Sequence, residues 1–296
     1  MGVGHIGSNH ARLYSEIAAA EFTAVYDLDF ARATTIARKY GAVAVKSLDD
    51  FAGLVDAASV ATPTNTHYDV AYRLLAGNKH LLIEKPITES TKEASELSDL
   101  AASNKLVLQV GHVERFNPVL GALEERLTRP RFIEAHRLSP YPDRSTDIGV
   151  VLDLMIHDLE IILHLVHSPV QSIDAVGVPV LSKGEDIANA RIRFENDCVA
   201  NITSSRISPE RMRKIRVFQE DAYLSLDYQN QSGEIYRLVN GRINRDKVAI
   251  EREEPLKREL ASFVECATTG REPRVSGSQA TAALELAVEI TKRIKL

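Results

Sequence analysis

The N-terminal part of the chain alternates short apolar runs with segments whose apolar residues recur at helical spacing. The runs, rich in aliphatic residues, predict strands, and the longer period predicts amphipathic helices between them. The strands are predicted at residues 22–26, 42–45, 57–61, 80–83 and 106–110, and the helices at 11–20, 29–39, 67–76 and 91–104. Strands separated by single helices pair in parallel, so the pattern predicts an α/β fold with a doubly wound parallel sheet.

After Asn117 the pattern changes to longer alternating runs, several of them joined by short turns. Such runs favour one large, mostly antiparallel sheet accompanied by a few helices, an α+β arrangement. The strands are predicted at 131–138, 170–180, 188–194, 199–205, 215–219 and 222–227, and the helices at 118–127, 152–167, 256–267 and 278–294. We therefore expect an N-terminal domain of residues 1–117 and a C-terminal domain of residues 118–296.

A Gly-x-Gly-x-x-Gly sequence opens the chain and leads into the first predicted helix. Its glycines permit a tight turn, and the N–H groups of the helix N-terminus attract a pyrophosphate, which predicts a dinucleotide-binding Rossmann domain. Asp27 follows at the spacing of an acid that binds the adenosine ribose. Its carboxylate would repel a 2′-phosphate and so favours NAD over NADP, although Arg32 weakens this preference. The loop residues expected at the cofactor are Gly2, Gly4, His5, Ile6 and Gly7.

The glycine sequence should follow a strand, but Met1 is all that precedes it in this sequence. In a doubly wound sheet that strand is central, and its absence would leave neighbouring strand edges unpaired and the core open. The alternatives are a native start upstream of Met1 and a truncated chain, and we expect the upstream start.

Two further polar segments follow predicted strands, at the sheet edge where cofactors bind. The first contributes Thr62, Pro63, Thr64 and His67. The second begins with Glu84 and Lys85, and Pro86 keeps the lysine backbone away from helical geometry. Lys85 is a candidate to bind a substrate hydroxyl and lower its pKa, or to act as a base. A purely structural turn is the alternative.

Asp153 and His157 are four residues apart on the apolar helix predicted at 152–167. In an α-helix this spacing places both side chains on one face. The imidazole would take a proton from an alcohol while the carboxylate fixes its tautomer. The alternative is a capping aspartate beside a core histidine.

Basic residues cluster between positions 206 and 216, and a polar loop at 141–147 precedes the helix of Asp153. The cluster fits either contact with a phosphate-bearing substrate or a solvated or subunit-interface face of a strand. The loop is a candidate to line a pocket. The candidate substrate contacts are His112, Arg115, Arg137, Tyr141 and Arg206.

The composition narrows the possible partners. The 296 residues carry a formal net charge of −5, which gives no general attraction to nucleic acid or anionic lipid. No apolar run approaches the length of a membrane helix, and we recognise no signal peptide. Cys198 and Cys266 show no metal-ligand spacing, so we expect buried, reduced thiols in a cytoplasmic protein without a metal site.

Taken together and in this order, these motifs resemble the glucose–fructose oxidoreductase / inositol dehydrogenase / MocA family. The resemblance implies that Lys85, Asp153 and His157 face the nicotinamide, that the Lys85–Pro86 bond is cis, and that the open sheet forms the interface of a homodimer or homotetramer. It covers essentially the whole chain. Its carriers are residues 2–7 with 10–12, Asp27, residues 61–63 with His67, 84–86, 111–118 and 153–157.

Residues 131–138, 151–158 and 187–191 resemble one branch of that family, the UDP-N-acetylglucosamine 3-dehydrogenases. The resemblance implies NAD-dependent hydride abstraction from a sugar carbinol, giving a ketone, at the 3-hydroxyl of a UDP-N-acetylhexosamine. His157 or Lys85 would take the hydroxyl proton, and the other would hold the oxygen. The alternatives are an inositol or free-sugar dehydrogenase and a non-catalytic NAD-binding sensor or partner subunit. The intact Lys85, Asp153 and His157 argue against the sensor.

Overall fold

A computed structural model describes residues 1–141 and 148–295, which form two compact units. The first unit combines Met1–Val113 with Glu254–Thr281, and the second combines Glu114–Glu253 with Ala282–Leu296. The segment from residue 254 joins the first unit because its helix buries Leu260 and Phe263 in a core that also contains Leu13 and Leu82.

The first unit holds two parallel sheets, one pairing β1 with β2 and the other ordered β3-β4-β5. The parallel pairing confirms the predicted Rossmann-type α/β fold. The strands are β1 (Ala24–Tyr26), β2 (Val43–Val45), β3 (Ala57–Val60), β4 (His80–Glu84) and β5 (Leu108–Gly111). The helices are α1 (His5–Glu16), α2 (Phe30–Tyr40), α3 (Leu48–Leu54), α4 (His67–Ala76), α5 (Thr91–Ser103) and α8 (Pro255–Thr269).

Local capping explains several helix boundaries in this unit. The Asp29 side chain accepts the N–H of Arg32 at the start of α2, and Gly41 ends that helix in the left-handed region. Ser90 caps α5 in the same way through the N–H of Glu93. The helix α3 was not predicted, because its seven residues bury two apolar side chains and so leave no readable period.

The two sheets of the first unit are separated at the position of the glycine sequence. The Met1 amino group donates to the Ser59 carbonyl at 2.8 Å, and the Gly2 N–H donates to the Tyr26 carbonyl at 2.9 Å. These two residues thus lie between β3 and β1. Beside them is a cavity of about 400 Å³, lined by Val25, Ala58 and Phe263 among others.

The second unit contains an eight-stranded sheet with the order β13-β12-β11-β10-β6-β9-β8-β7. All neighbouring strands are antiparallel except β6 and β9, so the predicted mostly antiparallel sheet is confirmed. The strands are β6 (Phe132–Leu138), β7 (Val170–Val178), β8 (Ile187–Phe194), β9 (Val199–Ser205), β10 (Met212–Phe218), β11 (Tyr223–Asp227), β12 (Ser232–Val239) and β13 (Arg242–Val248). The helices are α6 (Pro118–Glu124), α7 (Ile156–Val166) and α9 (Gly277–Arg293), whose first turn belongs to the first unit.

Two features of this unit differ from the prediction. The strands β12 and β13 were not predicted, because β13 is exposed almost throughout and β12 buries a single residue, so neither has a readable apolar alternation. The helix predicted at 152–167 is not regular, since a π-helical segment at Val151–Met155 precedes α7. In that segment the Ile156 N–H reaches back five residues to the Val151 carbonyl.

The sheet of the second unit has one buried face and one half-exposed face. On β6 the side chains of Ile133 and Ala135 are buried, whereas the alternate positions are half-buried. Four half-buried rings lie next to one another in register across β6, β10, β11 and β12, with centroid separations of 5.6, 4.6 and 5.0 Å; the last two pairs are stacked and the first is tilted. We call this the aromatic row: Phe132, Phe218, Tyr223 and Tyr236. Across the described ranges, no helix is both long and apolar enough to cross a membrane.

Candidate functional site

The glycine sequence folds into a tight loop. Gly2 has a φ of +68°, and a Cβ there would lie 2.7 Å from the Ala61 carbonyl oxygen. A Cβ on Gly7 would lie 1.8 Å from the Gly2 carbonyl oxygen. A Cβ on Gly4, by contrast, would have no atom within 4 Å. Two of the glycines are therefore required by the loop itself, and the third leaves an open surface beside the backbone.

The N-terminus of α1 is suited to an anion. Gly4 is its N-cap and supplies no side-chain acceptor, so the first N–H groups of the helix are not capped by that residue. His5 and Ile6, in the first turn, are exposed. Free N–H groups beside an open backbone surface fit a pyrophosphate, as the motif predicted.

Asp27 anchors the glycine loop. Its Oδ2 accepts the Val3 N–H at 2.8 Å, and its Oδ1 accepts the Asp29 N–H at 2.8 Å. The Arg32 Nη1 lies 3.8 Å from Oδ2 and brings a positive charge beside the carboxylate. The exposed carbon side chain of Leu28 follows it. Asp27 thus fixes the loop geometry, and Arg32 reduces the repulsion that would exclude a 2′-phosphate.

His67 links two loops at the carboxyl edge of the sheet. Its Nδ1 is 2.9 Å from the Pro86 carbonyl oxygen, and its Nε2 is 2.9 Å from the Thr62 carbonyl oxygen. The residue is 1% exposed. A direct cofactor contact by His67 does not fit this position, so its predicted role is corrected to that of a loop link. Thr62 and Thr64 remain half-buried, and Pro63 is exposed.

The strand β4 ends at a restrained carboxylate followed by Lys85. The Glu84 Oε1 lies 3.1 Å from the Nε2 of His10 on α1. A Cβ on Gly111 would lie 2.9 Å from the same oxygen, so the carboxylate packs directly on the glycine of the next strand. Lys85 is half-buried, and the Lys85–Pro86 bond is cis, as the resemblance implied. Glu84 therefore packs within the unit.

The predicted acid and imidazole lie at the start of the apolar helix in the second unit. Asp153 is in the π-helical segment and His157 is in the first turn of α7, and both are half-buried. The adjacent Ile156 and Asp158 are buried. Because a π turn is wider than an α turn, the four-residue spacing does not give the orientation of a regular α-helix.

Arg137, a predicted substrate contact, is buried in an ion-pair network. Its Nε and Nη2 donate to the two carboxylate oxygens of Asp158 at 2.8 and 3.0 Å, and its Nη1 donates to Glu114 at 3.0 Å. Burial by itself would raise the pKa of Glu114, but Arg137 and Arg213 bring that pKa below its ordinary value. All three guanidinium nitrogens are engaged internally, so Arg137 does not fit a substrate contact.

Arg206 and Arg115 are also buried. The Arg206 Nε donates to Asp186 at 2.8 Å, and its Nη1 donates to the Ile148 carbonyl at 2.6 Å. Arg115 forms an ion pair with Glu160 at 2.7 Å. The predicted contact of Arg206 with a substrate phosphate and the predicted substrate contact of Arg115 do not fit these positions, because each arginine serves an internal ion pair.

Two other residues of the basic cluster, Lys214 and Arg216, pair with carboxylates on neighbouring strands. Arg216 contacts Glu134 at 2.8 Å, and Lys214 lies 3.9 Å from Asp227. These pairs favour the alternative of a solvated or interface strand face. Of the remaining candidates, His112 is 1% exposed and Tyr141 is exposed. Most of the predicted 141–147 loop lies outside the described residues.

No sequence pattern indicates Glu185, whose buried carboxylate contacts the start of the Asp153 helix. It lies on the β7–β8 turn, more than thirty residues from its partner. No local motif marks such a contact.

Comparison with known proteins shows two family matches. The model of the GFO/IDH/MocA oxidoreductase family with an NAD-binding Rossmann fold matches residues 1–112, and the C-terminal domain of the same family matches residues 123–225. The UDP-N-acetylglucosamine 3-dehydrogenase of Acidithiobacillus ferrooxidans is 38% identical over 82% of this chain and 77% of its own. The scyllo-inositol 2-dehydrogenase (NAD(+)) of Bacillus subtilis is 25% identical over 100% of this chain and 93% of its own.

Solved structures give the same result. A structure of the Acidithiobacillus ferrooxidans enzyme superposes with a TM-score of 0.94 at 34% identity, covering 99% of this chain and 95% of the other. A levoglucosan dehydrogenase in complex with NADH and levoglucosan superposes with a TM-score of 0.89 at 15% identity, covering 99% and 95%. The second likeness concerns the fold alone. The predicted family, its Rossmann-type fold and its oxidoreductase class are confirmed.

Proposed function

The chain belongs to the GFO/IDH/MocA family of oxidoreductases, and we propose that it oxidises a hydroxyl of a UDP-N-acetylhexosamine, at position 3, to a ketone with NAD. The observation that carries this proposal is the 38% identity to a UDP-N-acetylglucosamine 3-dehydrogenase over 82% of the chain. The high structural similarity to that enzyme supports it.

The nicotinamide cofactor fits the glycine loop of the first unit. We propose that the N-terminus of α1 binds the pyrophosphate beside Gly4, with His5 and Ile6 in its first turn. Asp27 accepts the ribose hydroxyls through lone pairs that its two backbone contacts leave available. Its negative charge supports NAD over NADP, and the nearby Arg32 leaves measurable binding of NADP. The remaining cofactor contacts that we propose at the carboxyl edge of the sheet are Thr62, Pro63 and Thr64.

The proposed chemistry divides between the cofactor and three side chains. When bound, the nicotinamide supplies the redox step by accepting the carbinol hydrogen with its electron pair. Of Lys85 and His157, one takes the hydroxyl proton and the other holds the oxygen. Asp153 orients the imidazole of His157. The half-buried positions of all three residues support these roles, because each residue is partly accessible to solvent, and Asp153 and His157 are held in helical segments.

A free polyol is the second candidate substrate. The full-length similarity to a scyllo-inositol 2-dehydrogenase favours it, and so does the internal pairing of Arg115, Arg137 and Arg206, which leaves those arginines without a role at a diphosphate.

The experiment is reduction of NAD and of NADP by UDP-N-acetylglucosamine, free N-acetylglucosamine and inositols, followed by nicotinamide absorbance. We expect kcat/KM for the UDP-sugar to exceed that for the free compounds by about a hundredfold. A preference for an inositol would instead support the second candidate.

Variants of the three side chains test the mechanism. Lys85→Ala and His157→Ala should each retain NAD binding and lose turnover by about a hundred- to ten-thousandfold, as expected for loss of a positioned acid or base. Turnover near that of the wild type in both variants would contradict the assignment.

The half-exposed sheet face supports a homo-oligomer. We propose that the aromatic row of the second unit packs against the same face of another copy in a dimer or tetramer, because stacked rings provide a large apolar contact. We also propose a cytoplasmic location, which the two buried free thiols support. Cell fractionation tests the location.

A further inference from the structure

The helix that carries Asp153 and His157 begins on a buried carboxylate from a distant turn. The Glu185 Oε1 accepts the Val151 N–H at 3.2 Å, and the Glu185 carbonyl accepts the Val150 N–H at 2.9 Å. Glu185 is 2% exposed. A carboxylate at a helix N-terminus satisfies free N–H groups and complements the helix dipole. Glu185 therefore holds the first turn of this helix.

The fit between Glu185 and the chain before the helix is tight. A Cβ on Gly149 would lie 2.0 Å from the Glu185 Oε1, so only glycine permits the observed approach. A Cβ on Gly184 would lie 3.3 Å from the Gly149 Cα. The two backbones are thus in direct contact, and the carboxylate has little freedom to take another position.

The turn that presents Glu185 is itself rigidly bonded. The Asp186 Oδ2 accepts the N–H groups of Val180, Leu181 and Ser182 at 2.8, 2.6 and 2.9 Å. The Arg206 guanidinium joins the other oxygen of Asp186 to the Ile148 carbonyl. The turn and Arg206 together therefore fix the chain immediately before the helix as well as its first N–H groups.

The anchored residue is also the first residue of the π-helical segment. Val151 receives the five-residue hydrogen bond from Ile156 that defines the wide turn. A shift of the helix by one residue would rotate every side chain by about 100°. We propose that Glu185 is a positioning residue that fixes where the wide turn begins, and through it the direction of Asp153 and His157. The inference rests on the catalytic role proposed above for that pair.

The test compares Glu185 with a matched residue at the other end of the same helix. Asn196 donates from its side chain to the Val166 carbonyl at the end of α7, at 3.2 Å. Glu185→Ala should lower kcat by about ten- to a hundredfold while the KM for NAD stays unchanged. Asn196→Ala should leave kcat unchanged, even if both variants lower Tm. Glu185→Gln keeps an acceptor for the Val151 N–H and should restore most of kcat.

A double variant separates positioning from general loss of stability. In the Asp153→Asn background, Glu185→Ala should lower kcat by less than about threefold, because the oriented pair is already broken. An equal fold-loss in both backgrounds would overturn the proposal, as would a wild-type kcat in Glu185→Ala. If Glu185→Ala does not fold, Glu185→Asp, one methylene shorter, is measured against the same criteria.

A spectroscopic measurement on His157 tests the positioning role of Glu185 independently of the proposed function. The ring signal of His157 in the cofactor-free protein, assigned with His157→Ala, should shift in Glu185→Ala and stay in place in Asn196→Ala. An unshifted signal in Glu185→Ala would contradict the positioning role. Wild-type turnover in Asp153→Asn and His157→Ala would instead contradict the proposed function.

Discussion

At the scale of single residues, the Asp27 carboxylate that we propose to bind the ribose also holds the glycine loop. Hydrogen bonds to a charged group contribute about 1.5–3 kcal/mol. Asp27→Ala should therefore weaken binding of both NAD and NADP by at least about tenfold. Fluorescence titration with the reduced cofactors measures these affinities.

Arg32→Ala is the matched variant, since it removes the neighbouring charge but leaves the loop anchor intact. It should weaken NADP binding more than NAD binding. Unchanged NAD affinity in Asp27→Ala would show that the loop keeps its geometry without the anchor.

The buried guanidinium of Arg137 gives a second residue-scale prediction. Arg137→Met leaves the carboxylates of Asp158 and Glu114 buried without their main partner, and breaking a buried ion pair costs about 3–5 kcal/mol. Arg216→Met breaks the partly exposed pair with Glu134 and should cost at most about 1 kcal/mol. Denaturation in urea measures the loss in free energy of unfolding for each variant. Equal costs would contradict the structural role given to Arg137.

At the scale of elements, the β7–β8 turn depends on one ionised carboxylate. Burial opposes ionisation of Asp186, but hydrogen bonds from Ser182, the Leu181 N–H and Arg206 lower its pKa well below the ordinary 3.8. A depressed folded-state pKa gives stability that is present above the unfolded-state pKa and is lost as the pH falls toward the folded-state value. Acid should therefore destabilise this turn.

The prediction is a difference in acid sensitivity. Between about pH 5 and pH 3 the Tm of the wild type should fall more steeply than that of Asp186→Asn, which has no such proton to take up. Asp174→Asn, an exposed aspartate on β7, is the control and should follow the wild type. Parallel Tm profiles for all three proteins would contradict the assignment.

The π-helical segment shows why an element can be predicted correctly and its geometry missed. The apolar residues around Asp153 and His157 indicated a helix, and a helix is present. The wide turn at Val151 arises where Glu185 of the β7–β8 turn accepts the Val151 N–H and Arg206 donates to the Ile148 carbonyl. A tertiary contact thus sets the local geometry, and the apolar period does not encode it.

At the scale of the whole molecule, the aromatic row provides the test of assembly. Phe218→Asp places a charge between the stacked rings of Phe132 and Tyr223 and should shift the mass measured by light scattering toward the monomer, because a desolvated charge opposes an apolar interface. Leu28→Asp, at an exposed apolar residue of the first unit, should leave the mass unchanged. An unchanged mass in Phe218→Asp would remove the sheet face as the interface.

The sequence by itself determined most of the strands and helices in their order, the parallel and antiparallel sheets, the glycine loop with Asp27, and the candidates Lys85, Asp153 and His157. These features depend on local periodicity, capping and short motifs, which neighbouring residues carry. Only the tertiary structure decided that His67, Arg137 and Arg206 serve internal contacts, and that Glu185 meets Val151. These roles depend on residues about 20 to 60 positions apart in the chain, and an arginine that binds a phosphate has the same sequence signal as one that binds a buried carboxylate.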